Sequence, residues 1–357
     1  MAIRAAVYIV GAHIARSSIG LNYTWHGSSG RRYMVRLEAG RLSDQPAVEV
    51  LLATYNGERF LREQIDSILT QDYVNLRVLA RDDGSSDATV SILNEYAARL
   101  PSRFRVMPPS QGTGSPKDNF LLLMRASSAQ YICFSDQDDV WLPDKVSRTK
   151  RAMDELESRW GADAPLLVFT DARVVDDQLR TLHESFWAHE KIEPDRIHHL
   201  PLLLGRSVVT GCTMLLNRPL LELSFAMPSE ASMHDRWIGL LACAIGKACA
   251  VKAQTLLYRQ HDRNVAGIGK KTVSLPELFR RLVKREARQM QWVINQRQAE
   301  AFLRAYSAEL SPKNRDSLGA YLQCGARESR IFRITTFIRY GFCRWNSIRD
   351  LAVMIDI

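Results

Sequence analysis

Between residues 48 and 135 short apolar runs alternate with segments of helical spacing, and few folds accommodate that order. Residues 48–53, 76–80, 104–107 and 131–135 read as strands. Residues 60–70 carry Leu61, Ile65, Ile68 and Leu69 on one helical face, and 88–100 and 119–126 have similar spacing, with a loop at 112–116. Strands separated by helices of this length imply βαβ units, hence an α/β fold with a mostly parallel central sheet flanked by helices. Ligands of such sheets bind at the carboxyl edge of the strands.

Three polar segments fall on that edge: Thr54-Tyr55-Asn56-Gly57, Asp82-Asp83-Gly84-Ser85-Ser86-Asp87 and Asp136-Gln137-Asp138-Asp139. The three carboxylates of the last repel one another, and a cation would keep all of them ionised. Hard oxygen ligands suit Mg2+ or Mn2+. The alternative is an acidic turn capping the next helix, just as Asp83-Gly84-Ser85 also reads as an ordinary turn. Taken together, an aromatic ring, a carboxylate pair and an acidic cluster match the parts of a nucleotide: base, ribose and diphosphate.

With 357 residues and 46% hydrophobic content, the chain is long enough for one large domain with an appendage. Residues 1–45 have weak periodicity and end at Ser43-Asp44-Gln45-Pro46. They read as an extension, either a poorly ordered arm or sequence upstream of a start near Met34. Cysteines 133, 212, 243, 249, 324 and 343 form no CxxC pair, which fits a reducing cytoplasm and argues against structural zinc. No apolar stretch is long enough to span a bilayer, and the 5–15 run is a poor signal peptide.

Val50-Leu-Leu-Ala-Thr-Tyr-Asn-Gly57, Arg81-Asp-Asp-Gly-Ser-Ser-Asp87 and Phe134-Ser-Asp-Gln-Asp-Asp-Val-Trp-Leu-Pro-Asp-Lys145 resemble the nucleotide-sugar half of family 2 inverting glycosyltransferases. The likeness runs over roughly residues 47–265 and is closest to bacterial rhamnosyltransferases of cell-surface polysaccharide synthesis. It implies a GT-A (Rossmann-like) catalytic domain at 46–268, with a nucleotide-sugar half at 46–145 and an acceptor half at 146–268. Residues 269–357 then form a basic helical appendage. The donor would be a dTDP- or UDP-sugar, and the acceptor a saccharide or a lipid-linked saccharide. Thr54 and Tyr55 would lie at the nucleobase, Asp83 would accept from it with Asp82 beside it, and Asp136 and Asp138 would form the DXD pair at ribose and metal. Asp139 stands beside this pair as a further candidate. Lys117 is a nucleotide contact or a solvated lysine at a helix start.

Inversion at the anomeric carbon is a single displacement, so a carboxylate must take the acceptor's hydroxyl proton. In Met233-His234-Asp235-Arg236-Trp237, Asp235 stands where the family has this base, with His234 and Trp237 on the acceptor side. Asp235 also suits the N-cap of a helix over 236–245. Thr210-Gly211-Cys212-Thr213 resembles the acceptor-side loop, although a tight turn explains it too. His261 resembles the family's late histidine at metal or diphosphate, and Arg259 and Arg263 are placed to meet phosphate. His198-His199 has no such support and reads as a solvated helix end.

From residue 270 on there are 17 Lys and Arg against 8 Asp and Glu, a balance equal to the +9 of the whole chain. The tail is amphipathic over 276–306 and interleaves arginine with aromatic residues over 331–345. It is suited to peripheral contact with an anionic membrane, to packing on the core or to a dimer contact; its pattern matches no nucleic-acid module. Two functional classes follow: a metal-dependent inverting transferase of rhamnose or another deoxyhexose, or a non-catalytic nucleotide-binding adaptor at a membrane or polyanion surface. A polymerising synthase is disfavoured, because its membrane helices and Gln-x-x-Arg-Trp motif are missing.

Overall fold

The computed structural model describes residues 12–17, 20–26, 32–37, 46–109, 111–262, 277–326 and 329–342. Residues 1–47 and 48–357 are two compact units. In the first, β1 (Ala12–Ser17), β2 (Gly20–His26) and β3 (Arg32–Leu37) pair antiparallel in sequence order. The weak periodicity of this stretch carried no signal of them.

The second unit opens with the predicted alternation: β4 (Val48–Thr54), α1 (Leu61–Leu69), β5 (Leu76–Asp82), α2 (Thr89–Arg99), β6 (Phe104–Val106), α3 (Pro116–Ala126) and β7 (Tyr131–Ser135). These strands pair in parallel in the order β6-β5-β4-β7. Thr54 registers with Asp82 and Leu52 with Ser135, so the three polar segments leave from one edge. Helix α3 starts three residues earlier than the spacing suggests. Pro116 supplies the fixed φ of a first turn, and the Ser115 hydroxyl accepts from Asp118 N.

Beyond β7 come β8 (Val140–Trp141), α4 (Lys145–Trp160), β9 (Leu166–Val175), β10 (Thr181–His183), α5 (Phe186–His189), α6 (Leu200–Gly205), β11 (Met214–Asn217), α7 (Arg218–Ser224), α8 (His234–Ala244) and β12 (Lys247–Arg259). Strand β11 enters antiparallel between β7 and β9, β12 runs parallel to β9, and β8 and β10 pair antiparallel at the periphery. The nine-stranded sheet is thus parallel in its nucleotide half and mixed in the other.

Both faces of the sheet are covered, as continuous apolar strands require. Val50, Leu52, Val78, Ala80 and Cys133 belong to one core with α1, α2 and α4. Their alternates Leu51, Leu79, Ile132 and Phe134 belong to a second core with α3, α6 and α8. That second core extends into the C-terminal helices α9 (Glu277–Tyr306), α10 (Pro312–Ala326) and α11 (Arg330–Tyr340). Trp237 of α8 packs on Phe302 and Tyr306 of α9 at 5.2 and 6.0 Å between ring centroids, and Tyr321 of α10 donates to Leu204 O at 3.3 Å. No helix among the described residues is long and apolar enough to cross a membrane.

Candidate active site

The first two edge segments are stitched together by side chains that bond backbone. Asn56 adopts the left-handed conformation (φ +48°), its N–H donates to Ser85 Oγ at 2.8 Å, and its Oδ1 accepts from Ser86 N. The buried Thr54 hydroxyl donates to Asp82 Oδ1 at 2.9 Å, while Asp82 Oδ2 accepts from Gly84 N and Ser85 N. Thr54 and Asp82 therefore build the loop. Tyr55, 58% exposed, presents an open ring at the edge.

Gln137, which no motif singles out, joins this loop to the acidic cluster. Its Oε1 accepts from Tyr55 N at 2.8 Å and its Nε2 donates to Tyr55 O at 2.9 Å. A Cβ on Gly57 would sit 2.3 Å from Gln137 Oε1, so the fork needs glycine there.

Asp83 departs from its expected part. Its carboxylate accepts from Arg81 Nη1 (2.8 Å), Thr113 N (2.7 Å), Thr113 Oγ1 and Gly114 N (2.9 Å), which occupies both oxygens. Burial alone would raise this carboxyl, but the bonds from Thr113, Arg81 and Gly114 outweigh it and hold it below the usual range. Instead of a free acceptor for a base, Asp83 is a brace for the loop at 111–114. Lys117 is likewise engaged: its Nζ donates to Ser229 O at 2.8 Å.

In the acidic segment the carboxylates divide into two groups. Asp138 Oδ2 lies 2.8 Å from His261 Nε2, whose ring packs on Phe60. Asp136, half-buried, comes together with Asp139 and Cys212, their ligand atoms all within 4.8 Å of one another. Asp139 is fully buried; Oδ1 accepts from Arg259 N at 3.1 Å, and Oδ2 has no well-formed hydrogen bond among the described residues, with the Cys212 thiol beside it. Burial, Asp138 and Asp235 together push Asp136 up to about 7. Burial and the charges of Asp138 and Asp136 raise Asp139 well above the usual carboxylate range.

Two buried cations border the cluster. Lys145 is fully buried, lies over the Trp141 ring at 4.7 Å, and its Nζ has no hydrogen-bond partner among the described residues. Arg259, expected at phosphate, is 1% exposed: Nε donates to Asp138 O (2.7 Å), Nη1 to Asp177 O (2.8 Å), and Nη2 pairs with Glu63. It holds the acidic segment in place from behind. Arg263 lies outside the described residues. An under-bonded buried carboxylate oxygen beside crowded carboxylates and an imidazole fits a hard divalent cation such as Mg2+ or Mn2+.

On the acceptor side, Asp235 is in the first turn of α8 and is not its N-cap; that position is Met233, with no side-chain capping bond. Asp235 Oδ2 accepts from Gly211 N at 3.1 Å and Oδ1 from Arg236 N at 2.6 Å. His234 is buried between Phe120 and Phe134, at 4.2 and 4.9 Å between centroids, and a Cβ on Gly211 would lie 2.8 Å from its Nε2. Burial pushes His234 down to about 4. Trp237 is fully buried in the core, so it is no acceptor surface. Cys212 belongs with Asp139, as described. Of His198-His199, His198 is exposed and His199 half-buried.

Residues 49–222 match the family described as Glycosyl transferase family 2. The dTDP-rhamnosyl transferase RfbG of Shigella flexneri is 27% identical over 242 residues, covering 65% of this chain and 78% of that one. The putative glycosyltransferase EpsH of Bacillus subtilis is 26% identical over 224 residues, 61% of this chain and 62% of its own length. Among solved structures, TarS 1-349 of S. aureus superposes with a TM-score of 0.52 at 16% identity, covering 87% of this chain and 78% of that one. The same protein in complex with UDP-GlcNAc gives 0.50 at 16%, covering 87% and 89%.

Proposed function

We propose that the protein moves a deoxyhexose, rhamnose first, from a nucleotide diphosphate to a saccharide hydroxyl with inversion; the match of residues 49–222 to Glycosyl transferase family 2 and the likeness to the GT-A fold support this reading. One observation carries this reading: Asp235 Oδ2 accepts from Gly211 N at 3.1 Å, and Cys212, the next residue, lies with Asp136 and Asp139, their ligand atoms all within 4.8 Å of one another. On this reading a base candidate and a candidate cation-binding cluster share one site. An adaptor that only bound nucleotide would have no use for the base.

Each oxygen of Asp235 accepts one backbone N–H and keeps lone-pair capacity for an acceptor hydroxyl. The carboxylate takes the hydroxyl proton, the freed oxygen forms its bond to the anomeric carbon, and the bond from that carbon to the diphosphate oxygen breaks with its electrons on the leaving group. The amino end of α8 favours negative charge on the base. Asp136, with Asp138 and His261 or with Asp139, would hold Mg2+ or Mn2+. The ion would supply charge neutralisation for the departing diphosphate. Tyr55 is the platform for a nucleobase, dTDP being favoured over UDP by the Shigella relative. Gly211 leaves room for an acceptor, saccharide or lipid-linked.

The test is a pair of variants. Asp235→Asn is expected to bind dTDP with Mn2+ as the wild type does and to lose transfer from dTDP-rhamnose by at least about a hundredfold. Asp138→Ala is expected to lose Mn2+-dependent dTDP binding. Wild-type turnover in the first, or unchanged titration in the second, would remove that residue from its role.

A further inference from the structure

We propose that α9, which lies wholly outside the matched family segment, is a working part of the site, and that Gln298 is the positioning residue that fixes Asp235. The inference rests on reading Asp235 as the base. Helix α8 begins without a capping side chain: Met233 is extended (φ −158°, ψ 154°) and makes no cap bond. No capping side chain of its own therefore marks where the helix starts. A start displaced by one residue would turn Asp235 through about 100° around the helix axis.

The start is pinned from outside. Ser232, just before the cap, donates through both N and Oγ to Gln298 Oε1, at 2.9 Å each. Gln298 is 1% exposed and Ser232 half-buried, so losing the acceptor would leave two donors unpaired in a site that water reaches only in part. Arg304, further along α9, pairs with Glu230 at 2.9 Å, but it is largely exposed and contributes less. From the opposite side Lys117 holds Ser229 O, and Arg125 donates to Phe225 O at 3.0 Å. The segment that carries the base is thus gripped between α3 of the nucleotide half and α9 of the C-terminal region.

The experiment compares full-length wild type with Gln298→Leu, close in size but without an acceptor, and Gln298→Glu, which keeps one. In Mn2+, Gln298→Leu is expected to hold dTDP within about twofold of wild type while turnover of dTDP-rhamnose falls about tenfold, a kcat effect without a donor-affinity effect. Hydrogen exchange at the amides of 229–236 should rise, with the strands unchanged. Gln298→Glu should recover turnover to within about threefold of wild type. Wild-type turnover with unaltered exchange in Gln298→Leu would overturn the proposal, as would a Gln298→Glu variant as slow as Gln298→Leu. Should Gln298→Leu not fold, Ser232→Ala, which removes only the hydroxyl bond, is expected to raise exchange over 229–236, and unchanged exchange there would count against the proposal. Failure of the base reading is separable. It would appear as wild-type turnover in Asp235→Asn, whereas the exchange measurement reports on the grip of α9 whatever Asp235 does.

Discussion

His234 illustrates how burial sets what a side chain at this site can do. Enclosed by Phe120, Phe134 and Gly211, its imidazole is pushed down to about 4 and is neutral at physiological pH. The unfolded chain takes up the same proton near 6.5. Stability from this group is therefore complete above pH 6.5 and is lost as pH falls from there toward 4, by roughly 3 kcal/mol in all. Urea midpoints between pH 7 and 4 should show that loss in the wild type and a shallower one in His234→Phe; parallel curves would refute it. At this scale the sequence was a partial guide. Chemistry-bearing types stood out, so Asp136, Asp138, Asp235 and His261 could be singled out as candidates from their motifs. Partner and burial are not written in residue type. Arg259, read as placed to meet phosphate, is a buried brace, Asp83, read as an acceptor for the base, already accepts from Arg81, Thr113 and Gly114, and Gln137, given no part, joins two edge segments.

Among elements, strands β4, β5 and β7 were legible because their apolar residues are buried on both faces and only Glu49, Arg77 and Arg81 break the runs before the edge. Strand β9, ten residues long, was not: Thr170 and Asp171 interrupt it with polar groups that are satisfied inside the fold. The Thr170 and Thr255 hydroxyls bond at 2.6 Å, and Asp171 accepts from Ser185 Oγ, Trp187 N and Gln254 Nε2. Only the tertiary partners, distant in sequence, make those residues compatible with a buried strand. The C-terminal helices are tied to α8 most strongly through Phe302, which is fully buried against Trp237 and Tyr306. Phe302→Ala is expected to cost about 3–5 kcal/mol by urea denaturation. A loss below 1 kcal/mol would mean that α9 is not an integral part of this core.

For the molecule as a whole, the basic surplus resides after residue 270. On α11, Ile331 is 76% and Ile338 41% exposed, and Arg330 and Arg339 beside them are exposed too. That combination is suited to the proposed peripheral contact with an anionic bilayer. The protein is expected to co-sediment with phosphatidylserine-containing vesicles at low salt, to ignore pure phosphatidylcholine, and to be released at about 0.5 M salt. Equal binding to both vesicle types would dismiss the electrostatic part. Arg259 has a consequence at this scale as well. It closes on Asp139, 120 positions earlier, and on Glu63, 196 positions earlier. During synthesis the acidic segment leaves the ribosome long before the arginine that braces it. The site is therefore among the last features to assemble, and a nascent chain that has displayed every aspartate still lacks the geometry to use them.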